Sequence, residues 1–200
     1  MAVSRDGYTF TAVNEGEPVL AGDTIAQQRG IRDPHIFRGP DGAFYLAMTD
    51  LHVFGLRDGY RKTEWERGPE YGWGNNRGLV LMKSWDLIHW NRANIRFDKL
   101  SAGLGEIGCV WAPEVAYDDK KGKLMIYYTM RFKSEANKLY YVYVNDDFNK
   151  IESTPQILFE YPMDGVSAID GDITKIGDKY HLFYVAHDGV GGIKQAVSDG

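Results

Sequence analysis

One pattern recurs three times along this chain and narrows its fold more than any bulk property: a short strand, a Gly-containing turn, then an aromatic strand. It runs Arg32-Asp33-Pro34-His35-Ile36-Phe37, then Pro40-Asp41-Gly42, then Phe44-Tyr45-Leu46-Ala47-Met48-Thr49. It returns as Trp111-Ala112-Pro113-Glu114-Val115, Lys121-Gly122 and Leu124-Met125-Ile126-Tyr127-Tyr128-Thr129. The third copy is Ile169-Asp170-Gly171-Asp172-Ile173, Gly177-Asp178 and Tyr180-His181-Leu182-Phe183-Tyr184-Val185. Turn residues between two runs of β-branched and aromatic side chains make each copy a hairpin.

A further strand follows each hairpin: Gly78 to Ser84, Leu139 to Val144, and Ile193 to Ser198. The opening Ala2-Val3-Ser4-Arg5-Asp6-Gly7 echoes Ala196-Val197-Ser198-Asp199-Gly200. Four-stranded units repeated along a chain are propeller blades, so the expected class is all-β. The tail of one blade is expected at 1–13, full blades at 31–98 and 110–154, and three strands of another at 168–199. A propeller closes with about 4–8 blades. Residues 1–200 are therefore expected to be a single, partial propeller domain with both ends inside repeat units.

Composition removes several function classes. The 13 Tyr, 9 Phe and 5 Trp suit pleated strands and also suit stacking on sugar faces. A net charge of −5 without a basic stripe argues against a nucleic-acid partner. No run approaches the roughly 20 apolar residues of a membrane-spanning helix. Cys109 is the only cysteine, which excludes an internal disulfide and a cysteine metal site. Met1-Ala2-Val3-Ser4 shows no signal-peptide pattern. Ser167 and Ser198 lack a nucleophile-elbow context, so serine hydrolase chemistry is not expected.

Aligned on their turns, the copies put Asp33, Ala112 and Asp170 at equivalent places near the start of the innermost strand. The ends of the second strands bring Thr49, Asp50, Met130, Arg131, Ala186 and His187 to the same rim. Two carboxylates converging from separate blades suit glycoside hydrolysis, where one activates water and another protonates the leaving oxygen. A turn role is the plainer reading of an Asp before Pro. Shared register favours catalysis for Asp33, and for Asp170 over Asp172.

Arg32-Asp33-Pro34, Trp111-Ala112-Pro113-Glu114, Ala168-Ile169-Asp170 and Ser84-Trp85-Asp86-Leu87-Ile88-His89-Trp90 together resemble glycoside hydrolase family 43. That family consists of five-bladed propellers, including arabinanases, arabinofuranosidases and xylosidases. The resemblance implies a carbohydrate substrate rich in arabinose or xylose, and inversion at the sugar. It implies that Asp33 is the general base and Asp170 the second aspartate, which tunes and orients the acid. The acid itself is expected on a blade beginning after Gly200, and Glu114 matches a blade without a catalytic group. No cofactor is required; a structural calcium on the propeller axis is part of what the resemblance implies, with His187 a candidate to help hold it. Members are often exported, and the compartment stays open.

Two rivals remain. A fructan- or sucrose-cleaving propeller should show an Asn-Asp-Pro-Asn-like motif, whereas this chain reads Arg32-Asp33-Pro34-His35. A propeller that binds sugar without cleaving it belongs to another class.

Asp50, Arg131 and His187 are expected as sugar contacts, against the plainer reading of solvated loop charges. The insertion from Leu51 to Asn76, holding Trp65, Tyr71 and Trp73, is read as a substrate wall with Trp73 as a sugar platform. Trp111 is expected to line the pocket. Trp85 and Trp90 are expected to pack on outer strands, and His35, His52, His89 and His181 to be packing or surface residues.

Overall fold

A computed structural model describes residues 1–60, 63–72 and 76–199. Among them, no helix is long and apolar enough to cross a membrane. Two four-stranded antiparallel sheets carry the fold. Blade I pairs β3 (Ile31–Arg38), β4 (Phe44–Asp50), β5 (Gly78–Ser84) and β6 (Trp90–Arg96) in chain order. Blade II does the same with β7 (Ile107–Asp118), β8 (Lys123–Phe132), β9 (Lys138–Val144) and β10 (Gln156–Phe159). Blade III has three strands, β11 (Ala168–Ile176), β12 (Lys179–Ala186) and β13 (Ile193–Ser198).

The expected tail at residues 1–13 is a small hairpin of β1 (Ala2–Val3) and β2 (Thr11–Ala12). Its turn repeats a device of blade I atom for atom. Ser4 Oγ accepts the Gly7 N–H, and Asp6 Oδ1 accepts the N–H groups of Tyr8 and Thr9. Ser84 Oγ likewise takes Leu87 N–H, and Asp86 Oδ1 takes Ile88 and His89. Gly7 and Leu87 both sit at positive φ (78° and 65°), so the tail and blade I share one Ser-x-Asp turn.

Central strands are buried on both faces, which explains continuous apolar runs such as Leu79-Val80-Leu81-Met82 in place of alternation. Tyr45, Leu79 and Leu81 of blade I join Val115, Ile126 and Tyr128 of blade II in one inter-blade core. Leu139 carries blade II into a second core with Leu182 and Tyr184 of blade III. A third core packs Ile25 and Ala26, at the end of the short helix α1 (Gly22–Ile25), on Leu46, Met48 and Val80. Each fully buried Leu or Ile contributes about 1.5–3 kcal/mol. Trp90 packs against this third core as expected, but Trp85 does not pack. It is 64% exposed at the turn, with the Lys83 ammonium 5.0 Å from its ring.

The inner strands β3, β7 and β11 lie side by side along the chain of blades. Each carries a bulge at the same place, and β7 has a second irregularity between Ile107 and Cys109. Asp33 and Pro34 together face the single residue Met48; Ala112 and Pro113 face Tyr128; Asp170 and Gly171 face Tyr184. A bulge leaves its extra residue outside the ladder, so proline loses no strand bond there. At Gly171 the reason for the residue is space, because a Cβ would stand 2.5 Å from Leu139 Cδ1.

Candidate active site

The bulges set the site. Asp33, Ala112 and Asp170 all adopt left-handed backbone, with φ of 50°, 44° and 54°. This conformation is disfavoured for residues with a Cβ, although Asp tolerates it better than Ala. The three positions aligned from sequence are therefore equivalent in the backbone as well.

A hydroxyl from the second strand of the blade serves each inter-blade junction. Thr49, fully buried, donates from Oγ1 to Asp33 Oδ2 at 2.9 Å and accepts the Ala112 N–H at 3.0 Å. Thr129, also buried, accepts the Asp170 N–H at 3.1 Å. One side chain thus orients the Asp33 carboxylate and ties it to blade II. The same slot in blade II fixes the backbone of Asp170.

Asp33 and Asp170 are both exposed at the mouth, yet they feel one another. The protein walls desolvate Asp170 and the Asp33 charge repels its anion, so its carboxyl is held above the ordinary carboxylate value. His187 and Arg32 partly offset this. His187 is exposed at the end of β12, and its backbone N–H donates to Ser167 O at 2.9 Å.

One step along the axis lie His35 and Glu114. The Val115 N–H donates to His35 Nδ1 at 2.9 Å, so the ring proton sits on Nε2, 2.9 Å from Glu114 Oε2. Glu114 is thereby engaged across the blade I–II junction. In the next junction the Ile173 N–H donates to the Tyr127 hydroxyl at 3.0 Å.

Two expected sugar contacts are corrected. Asp50 is 1% exposed; its carboxylate oxygens accept the N–H groups of Gln27 and Gln28 at 2.8 and 2.9 Å, so it anchors the segment leading into β3. Arg131 is 7% exposed and bonds Lys133 O, Asn137 Oδ1 and Tyr71 O at 3.0, 2.9 and 3.1 Å. Its guanidinium also lies 4.9 Å from the centroid of the Trp111 ring, backing a half-buried side chain next to Ala112. Both are tethers, because burying a charge requires that its hydrogen bonds be used internally.

Trp73 lies outside the described residues. The described part of the insertion is partly core: Trp65 is 1% exposed, and Tyr71 donates from its hydroxyl to Glu106 Oε2 at 3.0 Å. Arg77, 2% exposed, donates to Glu64 O at 2.6 Å and to Asp98 Oδ2 at 3.1 Å. Asn76, fully buried, reaches Gly78 O from Nδ2 and accepts the Val110 N–H, joining blades I and II. Nothing in the spacing of the sequence marked Asn76. The two threonines did leave a signal, since both close the aromatic strand of their repeat.

Among the described residues, no three His, Cys, Asp or Glu side chains are grouped to hold a metal ion. A mostly apolar cavity of about 440 Å³ opens at the far end of β7, lined by Tyr117, Ile173, Tyr180 and Leu182 among others. Neither Asp33 nor Asp170 lines it.

Repeated sheets whose inner strands lie side by side are propeller blades, and the likeness to solved five-bladed β-propellers shows that this chain covers part of one. The chain belongs to the glycosyl hydrolase 43-related family: the family model, described as a probable glycosyl hydrolase domain, matches residues 1–200. An α-L-arabinofuranosidase of Bifidobacterium longum is 26% identical over 194 residues, covering 90% of this chain and 17% of that protein. The α-L-arabinanase of Penicillium chrysogenum, solved with arabinobiose, superposes with a TM-score of 0.59 at 17% identity. That match covers 86% of this chain and 47% of the other. A β-xylosidase/α-arabinofuranosidase from a compost microbial metagenome, solved with xylotriose, gives a TM-score of 0.51 at 17% identity, over 84% and 44% of the two chains. The chain thus spans less than half the length of these solved relatives, and at this identity they show the fold alone.

Proposed function

We propose that these residues form the water-activating side of an inverting glycosidase site for arabinose- or xylose-containing poly- or oligosaccharides. The carrying observation is that Asp33 and Asp170, from separate blades and matching bulges, face one mouth and repel one another. Asp33 would take the proton of the attacking water, with Thr49 fixing which oxygen is free to do so. Asp170 would stand beside the leaving group, where its carboxylate charge would hold the acid's proton in place. The proton donor to the leaving oxygen is the role that these two residues leave open. Trp111 and His187 would flank the sugar. Family membership and the arabinan- and xylan-type ligands named for the relatives support the substrate class.

The test is sugar release from aryl arabinofuranosides, aryl xylosides and arabinan, by the protein and by Asp33→Asn, with NMR of the first anomer formed. Release with inversion that collapses in the variant is expected. Sugar binding without release in either would make this a binding propeller.

A further inference from the structure

The turn after β4 holds apolar side chains outward on a closed backbone. Residues 52–60 satisfy one another: Gly55 N–H donates to His52 O at 2.9 Å, Asp58 to Phe54 O at 3.0 Å, and Tyr60 to Gly55 O at 2.8 Å. A loop fixed this way does not need its apolar side chains as a core. It shows them to solvent: Phe54 is 55% exposed, Leu56 63% and Tyr60 46%. Arg57 backs the Phe54 ring at 4.4 Å, and Arg29 and His52 stand beside Tyr60 at 4.9 and 5.4 Å.

The loop is also tied to the mouth. Leu51 N–H donates to Gly30 O at 3.1 Å, and Gly30 is pressed so close that a Cβ would lie 2.8 Å from His52 Cα. Gly30 is three residues before Asp33, and the Asp50 carboxylate clamps the adjoining Gln27 and Gln28. The aromatic loop therefore rises from the same rim that carries Asp33, on the blade I side.

We propose that Phe54 and Tyr60 form a stacking platform for sugar units of a pentose polymer whose scissile bond lies at the mouth. This rests on the glycosidase reading above. Aromatic faces pack on the C–H faces of a sugar, and the Arg57–Asp58 pair and Arg29 edge the platform with groups that bond hydroxyls. A protein partner fits less well. The patch is a few side chains broken by an ion pair, whereas a stable protein interface draws on roughly 20–30 residues a side.

The test uses the whole protein in the Asp33→Asn background, so that binding is read without hydrolysis. Retention on gels containing arabinan or arabinoxylan is compared with and without Phe54→Ala and Tyr60→Ala. Trp85→Ala serves as an exposed aromatic control on the outer turn. The platform variants should weaken retention about 5- to 30-fold at an unchanged melting temperature, while the control keeps it. With Asp33 intact, kcat/KM should fall more on arabinan than on an aryl pentoside. Retention equal in all variants overturns the platform and leaves the hydrolysis assay untouched. So does concentration-dependent dimerisation lost with Phe54→Ala, which would make the loop a self-association surface. Absence of any polymer binding by the unaltered protein also overturns it.

Discussion

The bulge of blade II and the bulges of blades I and III share a backbone and differ in side chain. Ala112 stands at φ 44° where Asp33 and Asp170 stand at 50° and 54°. Strained backbone is often taken as a mark of function. Here the residue least suited to that conformation carries no chemistry. The strain belongs to the blade, and the proposed chemistry belongs to the bulges that hold a carboxylate.

Five substitutions break or sharpen that contrast. The largest effect is expected from Asp33→Asn, which keeps shape and the Thr49 contact but removes the proposed base; kcat should fall about 10²–10⁴-fold in turnover assays. Next come the paired threonines. Thr49→Val removes a hydrogen bond to a charged carboxylate and should cost about tenfold in kcat. Thr129→Val removes only a backbone partner, so it should lower stability by about 1–2 kcal/mol in urea melts while costing less in kcat than Thr49→Val. Equal kinetic losses in the two variants would show that Thr49 acts through the backbone alone.

Ala112→Gly should raise stability by about 0.5–1 kcal/mol, since glycine accepts this conformation while loosening the unfolded chain. A loss instead would mean that the Ala112 side chain is needed at the junction. The smallest effect is that of Asp170→Asn on stability. The folded carboxyl titrates above its ordinary value of 3.8, so its contribution is most favourable below that pH and is lost as pH rises through the folded value. Removing the charge should therefore raise the melting temperature at pH 7 and leave it unchanged near pH 3. Water at the mouth limits the gain to under about 1 kcal/mol.

The repeat was legible because turn residues and aromatic strands recur in register, and it carried the blades and the equivalent places of the two aspartates. The bulges themselves were not read, although Pro34 and Pro113 carry their signal, since neither could join a ladder. Asp50 and Arg131 were misread for a common reason. Topology puts both at strand ends on the rim, but whether a side chain turns inward depends on contacts with Gln27, Gln28, Asn137 and Tyr71, remote in sequence. The His35–Glu114 bridge hid in the same way, across 79 residues of chain.

The coupling of Asp33 with Asp170 across the mouth can be read directly by following the Asp170 carboxyl carbon by NMR over pH, in the protein and in Asp33→Asn. Removing the Asp33 charge should lower the Asp170 titration point toward the ordinary carboxylate range. An unchanged titration would mean that the two carboxylates do not share a site.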